Sequence, residues 1–132
     1  MKAIGLDTCI VIRLLVGEPA AQAASALEYV ETSYDKAISL CVSDMVIAEA
    51  YHALIYHYDV PKRKAVRSLH DFLTSPMITT TGHALSVLET YTGKGAGLVD
   101  RLIRMDLLDS VHEIVTFDHD FARLQNVSRL SL

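Results

Sequence analysis

Two kinds of apolar pattern alternate along the chain. Short runs with no polar break have the length of buried strands. Between them lie longer stretches in which apolar residues recur every three or four positions, the period of an amphipathic helix. Lys2–Leu6 reads as a short strand that ends at Asp7, and a helix over Thr8–Val16 closes at Gly17. Pro19 suits the first turn of an Ala-rich helix running to about Tyr34. Ala37–Val42 is a second strand, and Ser43 is an N-cap for a helix through His57. Pro61 opens a helix that ends near Ser75-Pro76, and the β-branched run Met77–Thr81 is a third strand. His83–Tyr91 is helical by composition, Lys94–Gly97 is a turn, and Leu98–Leu108 has helical spacing. Glu113–Phe117 is a strand, and Val127–Leu132 a last short one.

Strands separated by helices need crossover connections, so the expected architecture is α/β, with a mainly parallel sheet and helices on both faces. In such sheets function gathers beyond the carboxyl ends of the strands. Two carboxylates fall there, Asp7 after the first strand and Asp118 after Glu113–Phe117. At 100° per residue, Val46, Ala50, Ala53, Leu54 and His57 form the expected buried stripe of their helix, with Glu49 at its border. Asp100 lies in the first turn of its helix, where the dipole favours an anion.

Composition sharpens this picture. The chain has 132 residues, 51% hydrophobic and 21% charged, which is one globular domain's worth. A net charge of −4 argues against a sequence-independent nucleic-acid coat, which needs a basic surface, but not against an enzyme that meets nucleic acid through cations. No apolar run reaches the ~18 residues that span a bilayer, and no export signal is evident. Two cysteines in such a chain are expected to be buried, reduced thiols of a cytoplasmic protein, and neither has zinc-site spacing.

Four carboxylates at close range repel one another and stay ionised only if cations lie between them. Hard oxygen donors select Mg²⁺ or Mn²⁺, ions that can supply an attacking hydroxide and stabilise a phosphodiester transition state. Taken singly, each acid has an ordinary role. An Asp after a strand is more often a turn or cap residue, Asp100 a dipole residue, and Glu49 a solvated helix residue. Spacing alone leaves both readings open.

Four segments point to a family. "LDTCIVIRLL" (Leu6–Leu15), "SDMVIAEAYHAL" (Ser43–Leu54), "GLVDRLIRM" (Gly97–Met105) and "IVTFDHDFARL" (Ile114–Leu124) together resemble the PIN-domain ribonucleases. In size and layout the chain is similar to the toxin of a VapBC-type toxin–antitoxin pair. The resemblance implies a three-layer α/β/α fold over residues 1–132, and endonucleolytic cleavage of RNA with Mg²⁺ or Mn²⁺. It implies that Asp7, Asp100 and Asp118 hold metal, and that Glu49 either holds metal through water or helps position the attacking water. Thr116 matches a hydroxyl residue near the site. Asp120 is an auxiliary candidate ligand, with a short-helix cap as the alternative. Thr8 and Ser43 match positions where Ser and Thr are common, with helix capping as the alternative. An antitoxin carrying Arg or Lys, and a homodimer, are the implied partners. The chain departs from the pattern at Cys9, where Asn or Ser is frequent, and at Arg101, where a small residue is frequent.

The remaining features have bland defaults. The six histidines lack ligand spacing and read as structural or surface residues. Tyr51, Tyr56 and Tyr58 read as ordinary packing, with a dimer or partner surface as the alternative. Lys62, Arg63, Lys64 and Arg67 read as a solvated face, with phosphate steering as the alternative. Three rival functions remain: RNA maturation without a toxin role, a catalytically silent binding module, and a phosphorelay receiver. The last lacks the acidic pair after the first strand and the Asp after the third.

Overall fold

The structure, a computed structural model, describes residues 2–131. It contains β1 (Ala3–Gly5), α1 (Thr8–Val16), α2 (Ala20–Asp35), β2 (Ser39–Val42), α3 (Asp44–Tyr56), α4 (Lys62–Thr74), β3 (Ile78–Thr80), α5 (Ala84–Thr90), α6 (Leu98–Leu108), β4 (Ile114–Thr116) and β5 (Val127–Arg129). A single 3-10 turn, Phe121–Arg123, lies between the last two strands. Every expected element forms, and the strands are shorter than their apolar runs. The last one stops at Arg129, and the end of its expected span, Leu132, lies outside the described residues.

Local chemistry sets the boundaries. Asp7 is the N-cap of α1, and its carboxylate accepts from the Thr8 amide at 2.8 Å. Gly17 ends α1 in the left-handed region, at φ 79°, with its N–H donating to the Arg13 carbonyl. The Ser43 hydroxyl caps α3 by accepting from Val46 N at 3.3 Å. Among the described residues no single helix is long and apolar enough to cross a membrane.

All strand pairing is parallel, as the crossover pattern requires. The hydrogen-bonded order is β1-β2-β3 in one sheet and β4-β5 in another. Ile4, Leu40, Val42 and Ile78 lie toward the main core, packed with Ile47, Leu54, Leu69 and Leu98 from the helices. Ile114, Phe121 and Val127 form a second, separate small core under β4-β5. The opposite face of β2 and β3 carries Ser39, Cys41 and Thr79, joined by side-chain contacts of 3.0 to 3.6 Å. Cys41 is therefore half-buried on a polar face, and Cys9 is exposed beside Asp7. Neither thiol is in the core, contrary to expectation, and both are free.

Two helix faces also differ from the sequence reading. In α3 the buried residues are Ile47, Ala50, Tyr51 and Leu54, while His57 is exposed. In α6 they are Leu98 and Leu102, while Val99, Ile103 and Leu107 are exposed. Both helices contain more apolar residues than one face can bury, so periodicity alone could not choose the face. Asp106, with no evident place in the sequence pattern, sits on this open apolar side of α6 and not in the core.

Long-range polar contacts fasten the rim. The Asp44 carboxylate accepts from the amides of His83 (3.0 Å) and Ala84 (2.9 Å), so it caps α5 from across the sheet. A Cβ at Gly82 would lie 2.5 Å from that carboxylate. Asp44→Ala should destabilise the fold by about 0.5–2 kcal/mol, the usual loss of a cap, measured by denaturant titration. His83 Nε2 lies 2.7 Å from Asp109 Oδ2, joining α5 to the end of α6. That bond raises the His83 pKa above its ordinary value. Burial opposes the shift, and the charges of Asp109, Asp44 and Asp106 add to it. A raised folded value means that the pair's stabilisation is complete below about pH 6.5, the unfolded value, and is lost as pH rises through the folded one. The melting-temperature gap between wild type and His83→Gln should therefore be widest in mild acid and narrow with rising pH.

Candidate functional site

The parallel order brings the ends of β1, β2 and β3 to one edge, where Asp7, Asp44 and Gly82 follow their strands. Asp7 is exposed, with Oδ1 on the Thr8 amide and Oδ2 3.6 Å from the Cys9 thiol, which donates to it. A thiol at that length is a weak donor, so Cys9 supports Asp7 only loosely.

Thr8 provides the first link between acids. Its hydroxyl donates to Glu49 Oε1 at 2.7 Å, joining the first turn of α1 to the second turn of α3. Thr8 is thus a bridge and not a helix cap, and the cap role falls to its neighbour Asp7. Glu49 itself is exposed, because the buried stripe of α3 centres near Ile47 and Leu54, roughly 150° away at 100° per residue. It lies on the wall of a cavity of about 540 Å³ between α3 and α6, with Met45, Ala48, Ile103 and Asp106. The sequence pattern puts Glu49 at the border of the buried stripe, but in the structure it is open to solvent and has no burial to offset.

Asp100 and Asp118 provide the second link. Asp100 is half-buried in the first turn of α6. Its pKa is raised, first by burial and then by the charge of Asp118. Asp118 is held by its own turn. Its amide donates to the Thr116 hydroxyl at 3.0 Å, and its Oδ1 accepts from the Phe121 amide at 2.9 Å. Thr116 therefore positions the Asp118 backbone at the end of β4. Asp120 stands at the start of the 3-10 turn, exposed and without a side-chain capping bond.

Thr8 thus joins Asp7 to Glu49 by hydrogen bonds, and Asp118 acts on Asp100 through its charge alone, so the four acids do not form one closed cage. Among the described residues no three His, Cys, Asp or Glu side chains approach closely enough to hold a metal ion. Nor does any Lys or Arg of the described residues form an ion pair with a carboxylate, the only such contacts being those of His70 and His83. Arg101 is occupied elsewhere. It donates to the carbonyls of Ala96 (2.9 Å) and Lys94 (3.1 Å) and sits 5.3 Å over the Tyr91 ring. Arg104 donates to the Gln125 carbonyl at 2.8 Å, tying α6 to the turn before β5. Both arginines hold backbone and leave the acidic edge uncompensated.

Sequence reasoning missed Asp44 and the His83–Asp109 pair. An Asp in the first turn of a helix was the available signal for the former, but it suggests a local cap and not one 39 residues away.

Replacing Asp118 by Asn removes the charge that is the smaller cause of the Asp100 shift. In metal-free protein the Asp100 pKa should then fall but stay above that of an ordinary Asp, because burial remains. Side-chain NMR titration reads this directly.

Over residues 4–127 the sequence matches the family model described as the PIN domain. No curated protein and no solved structure matches it.

Proposed function

The chain belongs to the PIN domain family, and from that premise we propose that it is an endoribonuclease dependent on Mg²⁺ or Mn²⁺. PIN domains are generally divalent-metal-dependent nucleases. The observation that carries the reading is the approach of Asp118 to Asp100: two carboxylates from different elements, in which the charge of exposed Asp118 adds to burial in raising the pKa of half-buried Asp100, a setting that favours a cation beside them.

The donor set fits such an ion. Mg²⁺ is usually held by one or two carboxylates, with water and substrate phosphate completing its shell, so a closed protein cage is not required. Asp100 and Asp118 would hold it. When bound, it would supply charge neutralisation at the phosphate and a more acidic water. The chain's own residues do the rest. Thr116 fixes where Asp118 stands. Glu49 spends Oε1 on Thr8, which leaves Oε2 to accept from the attacking water and orient it toward phosphorus. Asp7, exposed at the same edge as Glu49, is the third metal-facing acid in this reading, and Asp120 is an auxiliary one.

The finer reading is a cytoplasmic, single-domain toxin restrained by an antitoxin. Its support is twofold. The acidic edge lacks compensating Lys or Arg among the described residues, so it would attract a cationic segment. Beside it, Met45, Val99, Ile103 and Leu107 are exposed on α3 and α6, an apolar face of the kind that protein partners or a second copy cover.

The test is RNA cleavage by purified, partner-free chain with Mg²⁺, with Mn²⁺ and with EDTA. Asp7→Asn and Asp118→Asn should cut at the level of the EDTA control while keeping the wild-type circular dichroism. Asp118→Asn also relieves its repulsion of Asp100, so its metal-free melting temperature should equal or exceed that of wild type. Cleavage at the wild-type rate by both variants would remove the site assignment.

A further inference from the structure

The outward face of α3 is not a generic solvated surface. Met45, Glu49, His52 and Tyr56 recur at spacings of four, three and four, and fall within about 60° of one another around the helix. All four are exposed, Met45 at 78% and Tyr56 at 67%. The stripe therefore begins beside one proposed site acid, Glu49, and leads away from it to an aromatic end. There the rings of His52 and Tyr56 lie 4.5 Å apart, tilted by 42°. They line a cavity of about 210 Å³ whose other walls include Tyr91, Gly97, Lys62 and the second site acid, Asp100. Buried Tyr51 also lines it.

Three chemistries meet in this trough. One end is a carboxylate already assigned to cleavage. The middle is a pair of exposed aromatic rings. The far end is Lys62, the first residue of α4, followed by the exposed cations Arg63, Lys64 and Arg67. None of these cations is paired with a carboxylate among the described residues. A cavity of this volume is below the roughly 300–1,000 Å³ of a drug-sized site, and suits one planar group. Exposed rings beside unpaired cations are the elements of sequence-tolerant single-strand recognition, in which bases stack on aromatics and cations track phosphates.

We propose that His52, Tyr56 and Lys62 form a stacking subsite for single-stranded RNA, which receives a base a few nucleotides from the phosphate cut at the acidic edge. The inference rests on the proposed nuclease function and adds the path of the strand across the protein. The spacing agrees with it. Glu49 and Tyr56 are seven residues apart, about 10 Å along the helix, which equals roughly three stacked nucleotides at 3.4 Å each. Arg101 contributes by holding the Tyr91 wall and the loop before α6 in place. The substrate end at this subsite is unpaired in this geometry, since stacking on Tyr56 requires an accessible base face.

The test is binding, kept separate from cutting. Anisotropy of a labelled, unstructured RNA oligonucleotide is measured with the full chain in EDTA, for wild type, Tyr56→Ala, Tyr56→Phe and Lys62→Ala. Tyr56 is exposed, so these chains should fold, and thermal melting checks that they do. Tyr56→Ala should weaken binding by about 5- to 150-fold, whereas Tyr56→Phe, which keeps the ring, should bind nearly as wild type. Lys62→Ala should lower the slope of log affinity against log salt by about 0.7, one phosphate contact on a single strand. Wild-type affinity in Tyr56→Ala overturns the inference. So does unchanged RNA binding with a shift from dimer to monomer in sedimentation, which would make this face a protein interface. If wild type fails to cut RNA in Mg²⁺ but Tyr56→Ala still loses affinity, the nuclease reading falls and the subsite stands.

Discussion

Parallel pairing is the constraint from which the rest follows. A parallel strand cannot return by a hairpin, so each of β1, β2 and β3 must be followed by helix before the next begins. Every such strand then ends at the same edge, and the residues that turn the chain into the next helix collect there. Asp7, Ser43 with Asp44, and Gly82 are those residues, and their first duty is structural. An Asp that caps its helix is already aimed at the edge where a ligand would sit. The fold thus gathers polar groups at one place before any selection for chemistry.

Electrostatics then divides the candidate site. Glu49 leans on Thr8, and Asp118 leans on its own turn through Thr116 and Phe121. Neither arrangement uses a cation from the protein. The arginines nearest in sequence to Asp100 instead hold the carbonyls of Lys94, Ala96 and Gln125. In a chain of net charge −4, that choice concentrates negative potential at the strand ends and leaves the positive charge of α4 some way along the surface. Under the proposed function, a bound polyanion needs an ion at one end and finds lysine and arginine at the other.

Much of this was readable in the sequence, for definite reasons. Apolar runs and turn residues placed every helix and strand, because period and punctuation are local properties. The four acids could be singled out as candidates because three of them follow strands or open helices. The faces of α3 and α6 were harder. Both helices are apolar on more than one side, so the pattern could not say that Tyr51 is buried while Val99 and Ile103 are open. The Asp44 bond to the amides of His83 and Ala84 was illegible, since nothing local announces a cap that arrives from another helix. The division of the sheet was equally hidden, for strand adjacency is decided by packing and not by composition.

That division has a further consequence. Asp118 does not stand on the main core. It follows β4, whose support is the small cluster of Ile114, Phe121 and Val127 with Leu108 and Leu124. A unit with so few apolar contacts opens locally at a free energy below that of global unfolding. The bulk of the protein can stay native while β4-β5 frays and carries one acid away from its partner. Under the proposed function, heat tolerance and catalytic competence become separate traits of this chain, and drift in a handful of residues around β4 and β5 would silence the site without marking the protein for destruction.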